Sequence, residues 1–142
     1  MKTVRQLLAA KQGGIVTVTP QASVFDALGV MARHEIGAVL VVDADRLVGI
    51  MSERDYARKV ILLGRSSHDL QVREIMTEKV VCVHPDQTVQ DCMALMTSKR
   101  IRHLPVLDGG RLAGVLSIGD LVKAMLSEQA QIIRQLEEYI HG

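Results

Sequence analysis

The chain states one pattern twice, at a fixed offset of 65 residues and without a gap. Val16, Val18, Pro20, Val24, Asp26, Met31, Ile36, Val41, Asp43, Arg46, Leu47, Gly49, Ser52 and Asp55 return as Val81, Val83, Pro85, Val89, Asp91, Met96, Ile101, Val106, Asp108, Arg111, Leu112, Gly114, Ser117 and Asp120. A unit this short cannot bury its own apolar face and must stack on its copy. The expected fold is therefore α/β, of α+β type: two pseudo-symmetric β-α-β-β-α repeats packed through their sheets as one module, with paired clefts where the halves meet. Residues 1–70 would form the first repeat with an N-terminal lead-in helix, and residues 71–142 the second with an extended C-terminal helix.

Composition narrows the class. A chain of 142 residues, 48% of them hydrophobic, can bury one core. No apolar run reaches the roughly 18–20 residues of a membrane span, and residues 1–11 lack the apolar stretch and cleavage site of a signal peptide, so the cytoplasm is the expected address. Cys82 and Cys92 stand where the first repeat has Thr17 and Ala27, which gives neither a symmetric reason to be a ligand or half of a bridge. They read as small core residues. A net charge of +1 and an aromatic set limited to Phe25, Tyr56 and Tyr139 argue against a nucleic-acid partner. Interspersed charges argue equally against a polybasic membrane anchor, so any bound anion should be small.

Along the first repeat, Ile15–Val18 alternates like a strand that Pro20 ends, and Ser23 with Asp26 resembles a capping box opening a helix through His34. Ala38–Val42 and Leu47–Met51 read as strands joined by an Asp43–Arg46 turn, followed by a helix over 52–63. The second repeat predicts strands at 80–83, 104–107 and 112–116, a helix over 88–99, and a last helix running from Ser117 to about Ile140. Val72, Ile75 and Met76 match Val4, Leu7 and Leu8 as lead-in segments that pack beneath the sheets. The apolar stripe of the last helix outruns its counterpart and needs a partner surface.

The constellations Gly49-Ile-Met-Ser52-Glu-Arg-Asp55 and Gly114-Val-Leu-Ser117-Ile-Gly-Asp120 stand out. Ser-x-x-Asp at a strand-to-helix junction is a capping box, which satisfies orphan N–H groups at the helix start. The glycine three residues earlier adds a second reading: it admits a close approach to the strand backbone beside a helix N-terminus, which favours anions. A Gly-x-Ser-x-Gly nucleophile elbow does not fit the spacing, and no glycine-rich run leads into Lys-Ser/Thr as a phosphate loop requires. The histidines lack metal-ligand spacing. Arg102 and His103 precede a buried strand next to the Ser117 turn, where a phosphate is a reasonable guest.

The doubled Val-x-Pro, the Ile-Gly-Ala-Val-Leu-Val-Val-Asp and Ile-Arg-His-Leu-Pro-Val-Leu-Asp segments, and the two Gly-x-x-Ser-x-x-Asp motifs together resemble a tandem pair of cystathionine-β-synthase (CBS) domains, a Bateman module, over about residues 12–126. Ser52-Glu-Arg-Asp55 is similar to the version in small stand-alone bacterial CBS-pair proteins. The resemblance implies adenosine nucleotides in the inter-repeat clefts, with Asp120 and Asp55 on ribose hydroxyls and Ser117 and Ser52 beside the ribose-phosphate. In the Asp120 cleft the adenine would lie against Val16, Ile36, Gly37, Ala38 and Val115, with Arg102 and His103 on phosphate. In the Asp55 cleft the wall would be Val81, Ile101, Arg102 and Ile50. Gly37 and Ala38 stand where the second repeat has Arg102 and His103, so Arg54 and Lys11 would supply the missing charge at Asp55.

The function expected is a non-catalytic regulatory module sensing AMP first, with ADP, ATP, NAD(H) or S-adenosylmethionine as other ligands. The alternative is a dimeric scaffold with empty clefts. No nucleophile with a base or acid–base pair can be assembled, which argues against an enzyme. The helical faces and the long apolar stripe imply a homodimer, and the output must pass to another chain, an unidentified effector protein, or through oligomerisation.

Overall fold

The computed structural model describes residues 2–11 and 13–141. The order of elements is α1 (Val4–Ala10), β1 (Thr17–Val18), α2 (Val24–His34), β2 (Ala38–Asp43), β3 (Arg46–Ser52), α3 (Glu53–Tyr56) continuing into a π-helical turn (Ala57–Ile61), a 3-10 turn (Val72–Glu74), α4 (Val89–Lys99), β4 (His103–Asp108), β5 (Arg111–Ser117) and α5 (Ile118–His141). The mixed α/β class is as expected.

The two compact units do not follow chain order. One comprises Gly14–Val81, and the other joins Met1–Gly13 to Cys82–Gly142. Where the sequence suggested a division at residue 70, the α1 lead-in belongs with the second repeat and the Val72–Glu74 turn with the first. Backbone hydrogen bonds explain the exchange. Val4 N–H donates to the Gln87 carbonyl, Arg5 N–H to Pro85 and Val89 N–H to Lys2; in the other unit Val72 N–H donates to Ala22, Arg73 N–H to Pro20 and Val24 N–H to Leu70. The same three bonds are thus made twice. Both lead-ins open on capping boxes, Thr3 with Gln6 and Gln71 with Glu74.

In the Gly14–Val81 unit, β1 runs parallel to β2 and β2 antiparallel to β3, which pairs through Ile50 with Thr77. α2 lays Val24, Ala27 and Met31 onto this sheet, and Val39, Val41, Met51, Val60, Val72 and Ile75 complete the core. In the other unit β4 and β5 repeat the β2–β3 register residue for residue, including the bulge, so that Ala38 opposite Ser52 becomes His103 opposite Ser117. Val89, Cys92 and Met96 are buried like their counterparts.

Three expectations are corrected. The strand expected at 80–83 is a single bridge between Val83 and Val106, because Pro105 lacks the N–H that Leu40, its counterpart, brings to the parallel ladder. The strand expected over 15–18 is confined to Thr17–Val18. The helix expected over 52–63 is α-helical only through Tyr56, then widens into the π turn and closes with Leu62 N–H on the Ala57 carbonyl. Cys82 and Cys92 are free thiols; burial raises the pKa of both, and the Asp91 charge adds to the effect on Cys92.

Candidate functional site

Each Ser-x-x-Asp motif closes as a capping box at the end of a strand. Ser52 Oγ accepts from Asp55 N–H at 3.2 Å, and Asp55 Oδ2 accepts from Ser52 N–H at 2.9 Å and from Ser52 Oγ at 3.0 Å. Ser117 Oγ accepts from Asp120 N–H at 3.2 Å, and Asp120 Oδ2 accepts from Ser117 N–H at 2.8 Å. The next helical N–H groups are also engaged: Glu53 donates to the Gly37 carbonyl and Ile118 to the Arg102 carbonyl.

The glycines of the two motifs admit a close approach, but the approaching group is the chain itself. A Cβ on Gly49 would stand 2.6 Å from Met76 Sδ and 3.0 Å from the Thr77 carbonyl, and one on Gly114 would stand 2.7 Å from Leu8 Cδ2. The missing side chains make room for the two lead-in segments at the same point of each repeat.

Beyond the caps the motifs part company. Asp55 Oδ1 accepts from Thr77 Oγ1 at 3.2 Å and pairs with Lys59 Nζ at 3.1 Å, so both of its oxygens are engaged from within its own unit, and its side chain is only 12% exposed. Asp120 is paired instead with Lys11, whose Nζ lies 2.9 Å from Oδ2 and donates to the Val115 carbonyl at 2.7 Å. Its side chain is 28% exposed, and the Lys11 ammonium and the Ser117 N–H both reach it at Oδ2. Burial would raise the Asp120 pKa, but the Ser117 N–H, the Lys11 ammonium and the Ser117 hydroxyl outweigh it and hold the carboxyl below its ordinary value.

Lys11 is thus placed on Asp120, where the sequence suggested it would serve Asp55. Packing decides this, because Leu8 seats against Gly114 and α1 ends with Lys11 at the β5 edge. The cation on Asp55 is Lys59, missed in the sequence although Asp-x-x-x-Lys is a helical ion-pair spacing. Thr77 was missed too, and nothing in local sequence marks it.

The remaining residues fall as follows. His103 stands across the β4–β5 ladder from Ser117, and Arg102 is exposed just before it. Arg54 is exposed on α3, and Ile50 exchanges backbone hydrogen bonds with Thr77. Ile36 and Ile101 donate N–H groups to Met31 and Met96, closing α2 and α4, and Val16 and Val81 are half-buried. A cavity of about 270 Å³ in the Gly14–Val81 unit is lined by Leu28, Met31, Ala32, Glu35, Ile36, Gly37 and Glu53. Its lining includes Ile36 and Gly37, expected against the adenine in the Asp120 cleft, and none of the residues expected in the Asp55 cleft. Among the described residues no group of His, Cys, Asp or Glu could hold a metal ion.

The pattern of the CBS domain matches residues 10–61 and again 72–127. The chain belongs to the CBS domain family. It is 42% identical over 135 residues to the mitochondrial CBS domain-containing protein CBSX3 of Arabidopsis thaliana, covering 92% of this chain and 66% of that protein. A solved protein with CBS domains from Burkholderia ambifaria matches at 56% identity and a TM-score of 0.87, covering 90% of this chain and 96% of that one. The CBS domain pair of MJ0100, solved with 5'-methylthioadenosine and S-adenosylmethionine, matches at 25% identity and a TM-score of 0.79 over 89% of this chain and 98% of that one. Among the described residues no helix of this CBS-pair chain is long and apolar enough to cross a membrane.

Proposed function

We propose that this CBS pair is a non-catalytic regulatory module that takes an adenosine nucleotide at the Asp120 face. The reading is carried by one contrast: Asp55 is nearly buried and has both oxygens engaged by Ser52, Thr77 and Lys59, whereas Asp120 is more exposed and takes the Lys11 ammonium and the Ser117 N–H together on Oδ2. Ribose hydroxyls would donate to that carboxylate. Lys11 Nζ and the backbones of Arg102 and His103 meet Ser117 at the same β5–α5 junction, from which Ser117, Lys11, Arg102 and His103 would supply donors suited to a phosphate. AMP is the preferred ligand, with ADP, ATP, NAD(H) and S-adenosylmethionine as alternatives; the adenosine compounds bound by the MJ0100 pair support the class.

The bound state would be read by an effector protein, and the chain would act as a homodimer. A reducing compartment, the cytoplasm in this reading, suits the free thiols. The competing reading is a scaffold, favoured by the use of both Ser-x-x-Asp motifs as structural caps.

A thermal-shift panel of adenine nucleotides separates the two. A ligand bound only by the folded state at 100 times its Kd stabilises by about 2.7 kcal/mol. A scaffold would melt at the same temperature with every compound.

A further inference from the structure

The second half of α5 leaves its apolar side chains uncovered within the chain. Leu126, Ile133, Leu136 and Ile140 are each more than half exposed, in a helix of 24 residues. Their spacing is heptad. With Leu126 at position a, the a and d positions are Val122, Leu126, Gln129, Ile133, Leu136 and Ile140, while Ser127, Glu128, Gln131, Arg134, Gln135, Glu138 and His141 fill the outer positions. Apart from Gln129 the a and d positions are apolar, and from Ser127 onward the outer positions are polar, the 3.5-residue pattern of a two-stranded coiled coil.

We propose that residues 122–140 of α5 form an antiparallel coiled coil with the same segment of a second copy. The inference rests on the self-association put forward above and adds its surface and orientation. Charge complementarity selects the direction. In the antiparallel register Val122 meets the partner's Ile140, Leu126 the partner's Leu136 and Gln129 the partner's Ile133. On the flanks Lys123 faces the partner's Glu137, Met125 the partner's Tyr139 and Ile132 the partner's Ile132. In the parallel register Ile132 would face the partner's Glu137 and Ile118 the partner's Lys123, which sets both charges against isoleucine. The seam is about 27 Å long at 1.5 Å per residue. Residues 126–141 carry Glu128, Glu137 and Glu138 against Arg134 alone, the wrong charge for an anionic lipid surface.

The test uses two cysteine variants, Leu126→Cys and Leu136→Cys, in a Cys82→Thr, Cys92→Ala background that borrows the first repeat's residues at those positions. After oxidation, disulfide dimers are expected when the two variants are mixed and not from either alone. Each variant cross-linking with itself would show parallel helices and overturn the inference. Sedimentation of the chain with its native cysteines keeps the test independent of that background. A dimer is expected, and Leu136→Glu should weaken it by about 100-fold while leaving the melting of the two units unchanged. A dimer that Leu136→Glu leaves intact overturns the coiled coil but not self-association; a monomer overturns both.

Discussion

Lys11 Nζ lies 2.9 Å from Asp120 Oδ2, a partner 109 positions away in the chain, whereas Asp55, the pseudo-symmetric carboxylate, is paired with Lys59 four residues on. One carboxylate is therefore neutralised within its own helical turn and the other by a tertiary contact.

Acid sensitivity should follow from the Lys11 contact. The folded Asp120 carboxyl lies below its ordinary value, so its contribution to stability is complete above the unfolded pKa near 4 and is lost as pH falls through the lower folded value. The melting temperature should drop as pH falls from about 5 to 3. Lys11→Met should flatten part of that drop while costing under about 1 kcal/mol at pH 7, since the Lys11 ammonium is more than a third exposed. Calorimetry across this range, with the Asp120 side-chain carbon followed by NMR, checks it; an Asp120 titration above the ordinary carboxylate value would contradict it.

The two carboxylates should separate stability from binding. Asp55→Ala removes the acceptor for Ser52, Thr77 and Lys59 and should cost about 1–3 kcal/mol of stability. Asp120→Ala should cost about 0.5–2 kcal/mol as a lost cap and weaken nucleotide binding roughly 10- to 150-fold. Urea unfolding and isothermal calorimetry on both variants measure the pair of effects. Equal losses of affinity would refute the assignment.

Gly49→Ala and Gly114→Ala should differ although the motifs are equivalent. The new methyl at 49 meets the Thr77 carbonyl as well as Met76, and backbone cannot step aside; at 114 the three nearest atoms all belong to the Leu8 side chain, which can change rotamer. We expect about 1–3 kcal/mol for Gly49→Ala and less for Gly114→Ala, with Leu8→Ala offsetting part of the latter. Chemical denaturation of the three proteins decides it.

His103 should matter for the phosphate and not for the nucleoside. His103→Ala should weaken AMP binding by about 2- to 12-fold, the loss of one hydrogen bond, and leave adenosine binding unchanged. Binding calorimetry with AMP and adenosine supplies the comparison, and an equal loss for both ligands would refute the role.

The features legible in sequence are those that local physics enforces. The period of apolar residues placed α2, β2, β3, α4, β4, β5 and α5 nearly where they stand, and the Ser-x-x-Asp spacing marked both capping boxes. What failed depended on neighbours from elsewhere in the chain. Val83 forms a bridge rather than a strand because Pro105 sits opposite, and the gaps at Gly49 and Gly114 are filled by Met76 and Leu8.

The sequence by itself determined the repeat, its elements and the residues at each strand-to-helix junction, because propensity, periodicity and capping act over a few residues. Only the tertiary structure decided which lead-in serves which repeat, and with it the placement of Lys11 on Asp120 and Thr77 on Asp55. The two lead-ins are nearly interchangeable in pattern. The choice between them is made by chain connectivity and by backbone hydrogen bonds that join residues such as Val4 and Gln87, a separation that local signals do not span.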